Sequence, residues 1–293
     1  MQNLNKIIQA DCLEYLKSLP DGCVDLVLTS PPYDNIRTYN SNEIFSFNFF
    51  CSVAKELTRV LKVGGVICWV TQDQISNHNK SGNSFRQALF FQESCQLNFF
   101  DNLIYSKNGI TYPNTYHYYA CFEYIMIFSK GKPKSLQFIE DRKNSTFNKK
   151  VSGNHRERDG KLKECIGSKK KRKIKEYGRR WNIWTYEVGY SKSVDKLTKQ
   201  HPAVMPIKLC KDLMYSFSQQ GDTVLDCFSG SGTTALASIQ EGRNFLCCER
   251  DEKYVKIAND RLTNWQEDLL RQDKWLEDRG VVDFESDVRE EVK

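Results

Sequence analysis

The stretch D-T-V-L-D-C-F-S-G-S-G-T-T-A-L-A, residues 222–237, passes from an apolar run through a glycine-rich turn into a second apolar segment. It reads as strand, tight turn and helix. Gly230 and Gly232 let the backbone approach a ligand closely, and the helix start behind them presents free N–H groups. Seventeen residues past Gly232, the run N-F-L-C-C ends in Glu249. A carboxylate at the tip of a second strand is placed to accept hydrogen bonds from ribose hydroxyls. These residues alone mark a nucleoside-cofactor site of open identity. G-S-G-T-T-A also satisfies the dinucleotide pattern G-x-G-x-x-G/A, so a nicotinamide or flavin oxidoreductase fits this turn too.

Outward from the turn, short apolar runs alternate with longer amphipathic ones, the pattern of βα units around a mostly parallel sheet. Expected strands are Lys6–Gln9, Val24–Leu28, Val66–Val70, Asn102–Ser106, Tyr124–Phe128, Thr223–Asp226 and Asn244–Cys248. Phe47–Leu61 has helical spacing at Phe50, Val53, Ala54, Leu57 and Leu61, and Gly64-Gly65 reads as its stop. From about 132 to 200 this pattern dissolves into Lys, Arg, Gly, Ser and Asn, and it resumes at H-P-A-V-M-P, residues 201–206. The tail after about Trp265 is acidic and helix-like, with Leu269, Leu270 and Trp275 as anchors.

The 293 residues suffice for one large α/β domain with an insertion. No apolar run approaches the roughly 18 residues that span a membrane, and the start lacks a signal-peptide core, so a cytoplasmic setting is expected. Eleven cysteines without a C-x-x-C pair favour neither a disulfide scaffold nor a metal site. Between Asp141 and Arg180 the net charge is +11 against +6 for the whole chain, leaving −5 elsewhere. An isolated basic run is ordinarily a solvated loop; such asymmetry also fits a polyanionic partner.

Residues 29–33 read T-S-P-P-Y directly after the apolar run V-D-L-V-L. Two prolines cannot extend a central strand, so a buried strand ends here in a stiff loop.

With T-S-P-P-Y and F-S-G-S-G-T both present, the chain resembles the DNA amino-methyltransferases that use S-adenosylmethionine. In that family a [D/N/S]-P-P-[Y/F] motif holds the target base and F-x-G-x-G holds the cofactor. Here the P-P-Y motif comes first and a basic stretch lies between the two, an order similar to the circularly permuted β class. I-I-Q-A-D-C-L-E-Y-L, residues 7–16, resembles the segment whose acid, here Asp11, contacts the cofactor adenine. E-L-T-R-V-L-K-V-G-G (56–65) and F-E-Y-I-M-I-F-S-K-G (122–131) resemble two sheet motifs of the family. H-P-A-V-M-P-I-K-L, from His201 and Pro202 onward, resembles the segment near the methionine end of the cofactor.

The likeness covers about residues 6–131 and 180–262, and implies a Rossmann-like α/β methyltransferase sheet assembled from both ends of the chain. Residues 1–131 would form the catalytic half, 132–200 a basic target-recognition insertion, 201–265 the cofactor half and 266–293 an acidic tail. It implies catalytic roles for Ser30, Pro31, Pro32 and Tyr33. Asp11, Asp226, Phe228, Gly230, Gly232, Thr233, Glu249, His201 and Pro202 would meet the cofactor. Arg37, Lys169, Lys170, Lys171, Arg172, Lys173, Arg179 and Arg180 would meet duplex DNA. A cognate restriction endonuclease and a second copy of the chain are the protein partners it allows.

The chemistry explains the motif. An exocyclic amino nitrogen is a poor nucleophile because its lone pair is delocalised into the ring. Ser30 Oγ and the Pro31 carbonyl can accept its N–H bonds, Pro31 brings no competing donor, and Tyr33 offers a face for stacking on an extruded base. Methylation at cytosine C5 in the related enzymes needs a Pro-Cys pair, and no proline here precedes a cysteine. Within the family S-P-P-Y is more typical of N4-cytosine enzymes and D-P-P-Y of N6-adenine enzymes, so cytosine N4 is the expected acceptor and adenine N6 the alternative. RNA and protein methyltransferases with P-P-Y motifs usually carry them after the glycine loop. The aromatic run Y-P-N-T-Y-H-Y-Y, residues 112–119, fits either a base pocket or a packed loop. Trp181 and Trp184 are expected as core anchors.

Overall fold

The computed structural model describes residues 3–32, 45–76, 78–109, 116–164, 172–187 and 204–277. An eight-stranded sheet forms the centre. Its strands, in chain order, are β1 (Lys6–Gln9), β2 (Val24–Thr29), β3 (Leu61–Thr71), β6 (Asn98–Lys107), β7 (Phe122–Ser129), β12 (Ile183–Tyr186), β13 (Thr223–Asp226) and β14 (Asn244–Glu249). Three short pairs complete the numbering: β4 (Ile75–Ser76) with β5 (Asn79–Lys80), β9 (Asn154–Arg156) with β10 (Leu162–Glu164), and β8 (Arg142–Lys143) with β11 (Tyr177–Gly178). The helices are α1 (Cys12–Ser18), α2 (Phe47–Val60), α3 (Asn83–Leu89, continued by one π-helical turn), α4 (Ile207–Phe217), α5 (Thr233–Gln240) and α6 (Glu252–Glu277).

The strand order is β1-β14-β13-β2-β3-β7-β6-β12, and β7 alone runs against its neighbours. Every residue of β2 and of β13 is buried, as a parallel strand covered on both faces requires. Period-2 alternation divides their side chains between two layers. Val27, Ile67, Trp69 and Leu225 face α1 and α2. Leu26, Leu28, Val66 and Val224 face α4.

The two ends of the chain meet where β13 lies beside β2, with Val224 opposite Leu26 and Leu225 opposite Val27. From β13 the chain crosses through α5 to β14 on one side, and from β2 through α2 to β3 on the other. Strand order thus reverses at this pair, and the loops leaving the two strands diverge into a crevice, where open α/β sheets place ligands. Ligand chemistry belongs at the carboxyl edge, where Thr29-Ser30 and Asp226 lie side by side.

Two expectations are corrected by the chain's path after α2. Gly64 and Gly65 do not stop the helix: α2 ends at Val60, and the chain continues directly into β3, which contains both glycines. Gly64 takes φ +83, and its N–H and carbonyl bind the 130–134 turn, donating to the Lys130 carbonyl and accepting from Lys134 N–H. Its left-handed backbone serves a strand junction, not a helix cap. Ile183–Tyr186, inside the stretch set apart on composition, is the edge strand β12, parallel to β6. Trp184 is buried there, whereas Trp181 is 70% exposed with the Arg142 guanidinium over its ring. No helix among the described residues is long and apolar enough to cross a membrane.

Candidate active site

Asp226 ends β13 and is fully enclosed. Three donors from three elements converge on its carboxylate. Thr29 Oγ1, at the end of β2, donates to Oδ1 at 2.6 Å; Phe228 N–H, in the glycine turn, donates to the same oxygen at 3.1 Å. Thr234 Oγ1, in the first turn of α5, donates to Oδ2 at 2.7 Å. Burial raises the Asp226 carboxyl to about 6, even though all three hydrogen bonds pull the other way. Asp226, assigned to the cofactor from sequence, is occupied by groups of its own chain.

The turn after it is built to bring backbone close to a ligand. Gly230 and Gly232 take φ +49 and +76, and Gly232 N–H closes the turn onto the Ser229 carbonyl at 2.8 Å. Thr233 opens α5 and is buried. Phe228 is half-buried, edge-on to Phe45 with ring centroids 5.5 Å apart. From behind, Arg261 of α6 reaches under the turn: its guanidinium donates to the Ser231 carbonyl, to Ser231 Oγ at 3.2 Å and to Thr233 Oγ1 at 3.1 Å. At 4% exposure Arg261 is a buried cation bracing this turn.

One wall of the crevice comes from β14 and β1. Glu249 ends β14, its Oε2 accepting from Gly230 N–H at 2.8 Å and its Oε1 from Asp251 N–H at 2.9 Å. Burial pushes its carboxyl above the usual range, offset in part by those backbone donors. Ala10 N–H donates to the Glu249 carbonyl at 3.0 Å, which carries the β1–β14 ladder to the rim and places Asp11 next in line. Asp11 caps α1, its Oδ1 accepting from Leu13 N–H at 2.9 Å and Glu14 N–H at 3.2 Å. A glycine turn, a helix start and two rim carboxylates suit a ligand with ribose hydroxyls and an amino-bearing ring.

The opposite lip is the end of β2. Ser30 and Pro32 are half-buried and Pro31 is buried, directly after the enclosed Thr29. Tyr33, Arg37, Lys169, Lys170, Lys171, His201 and Pro202 lie outside the described residues. Further along the carboxyl edge, Lys107 and Glu123 form an ion pair between the ends of β6 and β7. Tyr116, Tyr118 and Tyr119 beyond them are exposed, so this part of the aromatic run is not a packed loop.

The described residues of the basic stretch pair as antiparallel strands. Arg142 and Lys143 pair with Gly178 and Tyr177, Lys150 pairs with Lys173, and Asn154–Arg156 pairs with Leu162–Glu164. Lys143, Lys149, Lys150, Arg172, Lys173 and Arg179 are exposed, and the Arg179 guanidinium sits over the Phe138 ring at 3.9 Å. Arg180 departs from the expectation of phosphate contact. Its guanidinium turns inward to Asp141, to Asp212 of α4 at 2.7 Å and to the Tyr186 hydroxyl at 3.1 Å, fastening the base of this stretch to the body.

Sequence reasoning missed Thr29, Thr234 and Arg261. The threonines read as strand end and helix start, and their common partner lies 197 residues from one of them. Arg261 had a signal: it falls on the same helical stripe as Tyr254, Ile257 and Ala258, so a cation stood on an apolar face.

Comparisons with known proteins agree with this geometry. The profile of an N6/N4 methyltransferase family, described as DNA methylase, matches residues 24–260. Orphan methyltransferase M.BamHII of Bacillus amyloliquefaciens is 44% identical over 252 residues, 85% of this chain and 92% of that protein. Among solved structures, the PvuII DNA methyltransferase (cytosine-N4-specific) superposes with a TM-score of 0.65 at 19% identity, covering 86% of this chain and 84% of that one. The M1.HpyAVI–SAM complex gives 0.57 at 20% identity, over 88% and 98%.

Proposed function

Because the chain belongs to the N6/N4 DNA methylase family, we propose that it transfers the methyl group of S-adenosylmethionine to cytosine N4 in duplex DNA. The observation that carries this reading is the adjacency of the S-P-P lip and the glycine turn across β2 and β13. An amino nitrogen held at the first is within reach of a methyl donor held at the second.

Bound S-adenosylmethionine supplies an electrophilic sulfonium methyl. The turn at Gly230 and Gly232 would meet its amino-acid part, Glu249 would accept from its ribose hydroxyls, and Asp11 would receive its adenine. Ser30 Oγ and the Pro31 carbonyl accept the N–H bonds of the target amino group, which favours a tetrahedral nitrogen with a freed lone pair. The enclosed β2 and the double proline hold these acceptors fixed before the base arrives. Because that amino group is paired inside a duplex, the base must leave the stack to reach Ser30. Ser30 itself favours cytosine, since Ser is the residue N4-cytosine members of the family more often carry before P-P-Y.

The test is direct. The protein is incubated with labelled S-adenosylmethionine and mixed-sequence duplex DNA, the DNA is digested, and the labelled nucleoside is identified. N4-methylcytosine is the expected product. N6-methyladenine would replace the cytosine reading by the adenine one, and absence of label in DNA would overturn both.

The basic stretch from Asp141 to Arg180 supplies the phosphate contacts in this reading. Replacing Lys143, Lys149, Lys150 and Lys173 together by Gln is expected to raise the KM for duplex about tenfold or more at 0.1 M salt. The log–log salt dependence should flatten by about one unit for each phosphate that is no longer neutralised. Titration of initial rates against salt checks this, with kcat at saturating DNA unchanged.

A further inference from the structure

We infer that the Thr29–Asp226 hydrogen bond is the joint through which the cofactor turn fixes the target-base lip, which makes Thr29 a positioning residue of the transfer reaction. The inference rests on the function proposed above and adds a residue to it.

The backbone pairing between β2 and β13 stops at Val27 and Leu225. Beyond that point the strands part to open the crevice. The Thr29 hydroxyl then crosses the gap to Asp226, 197 residues away in sequence, at 2.6 Å in a buried setting. The next residue after Thr29 is Ser30, and the next elements after Asp226 are the glycine turn and α5. The same carboxylate receives Phe228 N–H from the turn and Thr234 Oγ1 from α5. One acceptor therefore ties together the lip, the turn and the helix start.

All three partners donate, so the arrangement calls for a group with acceptors on both oxygens, as an ionised carboxylate has. An amide in its place would set an N–H against a donor. A ligand that orders the turn acts on Phe228 and Thr234, and through the shared carboxylate it restrains Thr29 and the acceptors of the lip. By linkage, a base seated on the lip must favour the ordered turn by the same factor.

The experiment uses the full chain, with S-adenosylhomocysteine as the binding probe. Thr29→Val removes the donor at nearly constant volume, and Thr29→Ser keeps it. Thr29→Val is expected to lower kcat at saturating cofactor by about tenfold or more, while cofactor KM and probe affinity stay within about twofold. Thr29→Ser should restore turnover to within about threefold of wild type. Combining Thr29→Val with Asp226→Ala should cost no more turnover than Asp226→Ala alone, because the acceptor of the Thr29 bond is already absent from that variant.

Hydrogen exchange reads the same joint without turnover. Probe binding should slow exchange in the peptides around 28–32 and 226–234 of the wild type, and only in the second for Thr29→Val. Wild-type kcat in Thr29→Val, equal losses of affinity and turnover, or exchange at 28–32 that never responds to the probe would each overturn the joint. Methyl transfer absent from wild-type protein, with the exchange coupling intact, would instead overturn the proposed function and leave the joint standing.

Discussion

Gly232→Ala is expected to abolish cofactor binding and to destabilise the fold measurably. Gly232 sits at φ +76 and ψ 27, in the left-handed region, as the N-cap just before α5. A residue with a side chain there costs about 1–2 kcal/mol in backbone strain alone. Space is the second cost. A Cβ at this position would stand 2.7 Å from Ala258 Cβ and 3.2 Å from both Ala258 Cα and Ile7 Cδ1. Ile7 Cδ1 can rotate aside, but Ala258 has no side chain to rotate, so α6 must shift away from the turn, a change that adds about 1–3 kcal/mol. Arg261 lies one turn further along that helix and braces Ser231, so the displacement reaches the cofactor turn twice.

Urea unfolding and calorimetric titration with S-adenosylhomocysteine measure the two effects. Gly221→Ala is the control. It carries the same sign of strain at φ +80 but nothing stands within 4 Å of its Cβ position, so a loss of about 1–2 kcal/mol with normal binding is expected. Equal reductions in affinity in the two variants would show that strain, not the contact with α6, governs the site.

Ser30→Ala is expected to lower kcat by about 10²–10³, the range found when one preorganised hydrogen-bonding partner of a reacting group is removed. Cofactor affinity should stay within about twofold, since the turn, Glu249 and Asp11 are untouched. The loss is assigned to chemistry because β2, which leads into the lip, is buried along its whole length. Single-turnover rates at saturating DNA and cofactor isolate the step. A variant as fast as wild type would remove Ser30 from the transfer and leave the Pro31 carbonyl as the acceptor to test.

Much of the sheet was legible because strands buried on both faces read as continuous apolar runs. Thr223–Asp226 and Lys6–Gln9 match the observed strands residue for residue. Length was less legible than position. β3 starts at Leu61, not Val66, because its first residues gain partners in Val24 and in the 130–134 turn that local pattern does not reveal. In the basic segment, charge was legible but pairing was not. I-W-T-Y is too short and too closely flanked by charge to stand out, and only its partner β6 makes it a strand. At the crevice, the motifs that touch ligands were visible as motifs. Thr29, Thr234 and Arg261 were not, because their partners are set by which strands become neighbours.

The position of β13 also bears on how the protein is made. A ribosome delivers β2 and β3 early, yet the strand that closes the open side of β2 begins at residue 223 and is synthesised about two hundred residues later. β1 waits longer still, since its neighbour among the described residues, β14, begins at residue 244. Contacts this distant in sequence slow folding, and the enclosed V-D-L-V-L edge stays open to other nascent chains throughout that interval. The crevice between the two ligand-binding loops therefore takes shape only once β13 has been made, long after the lip that β2 carries.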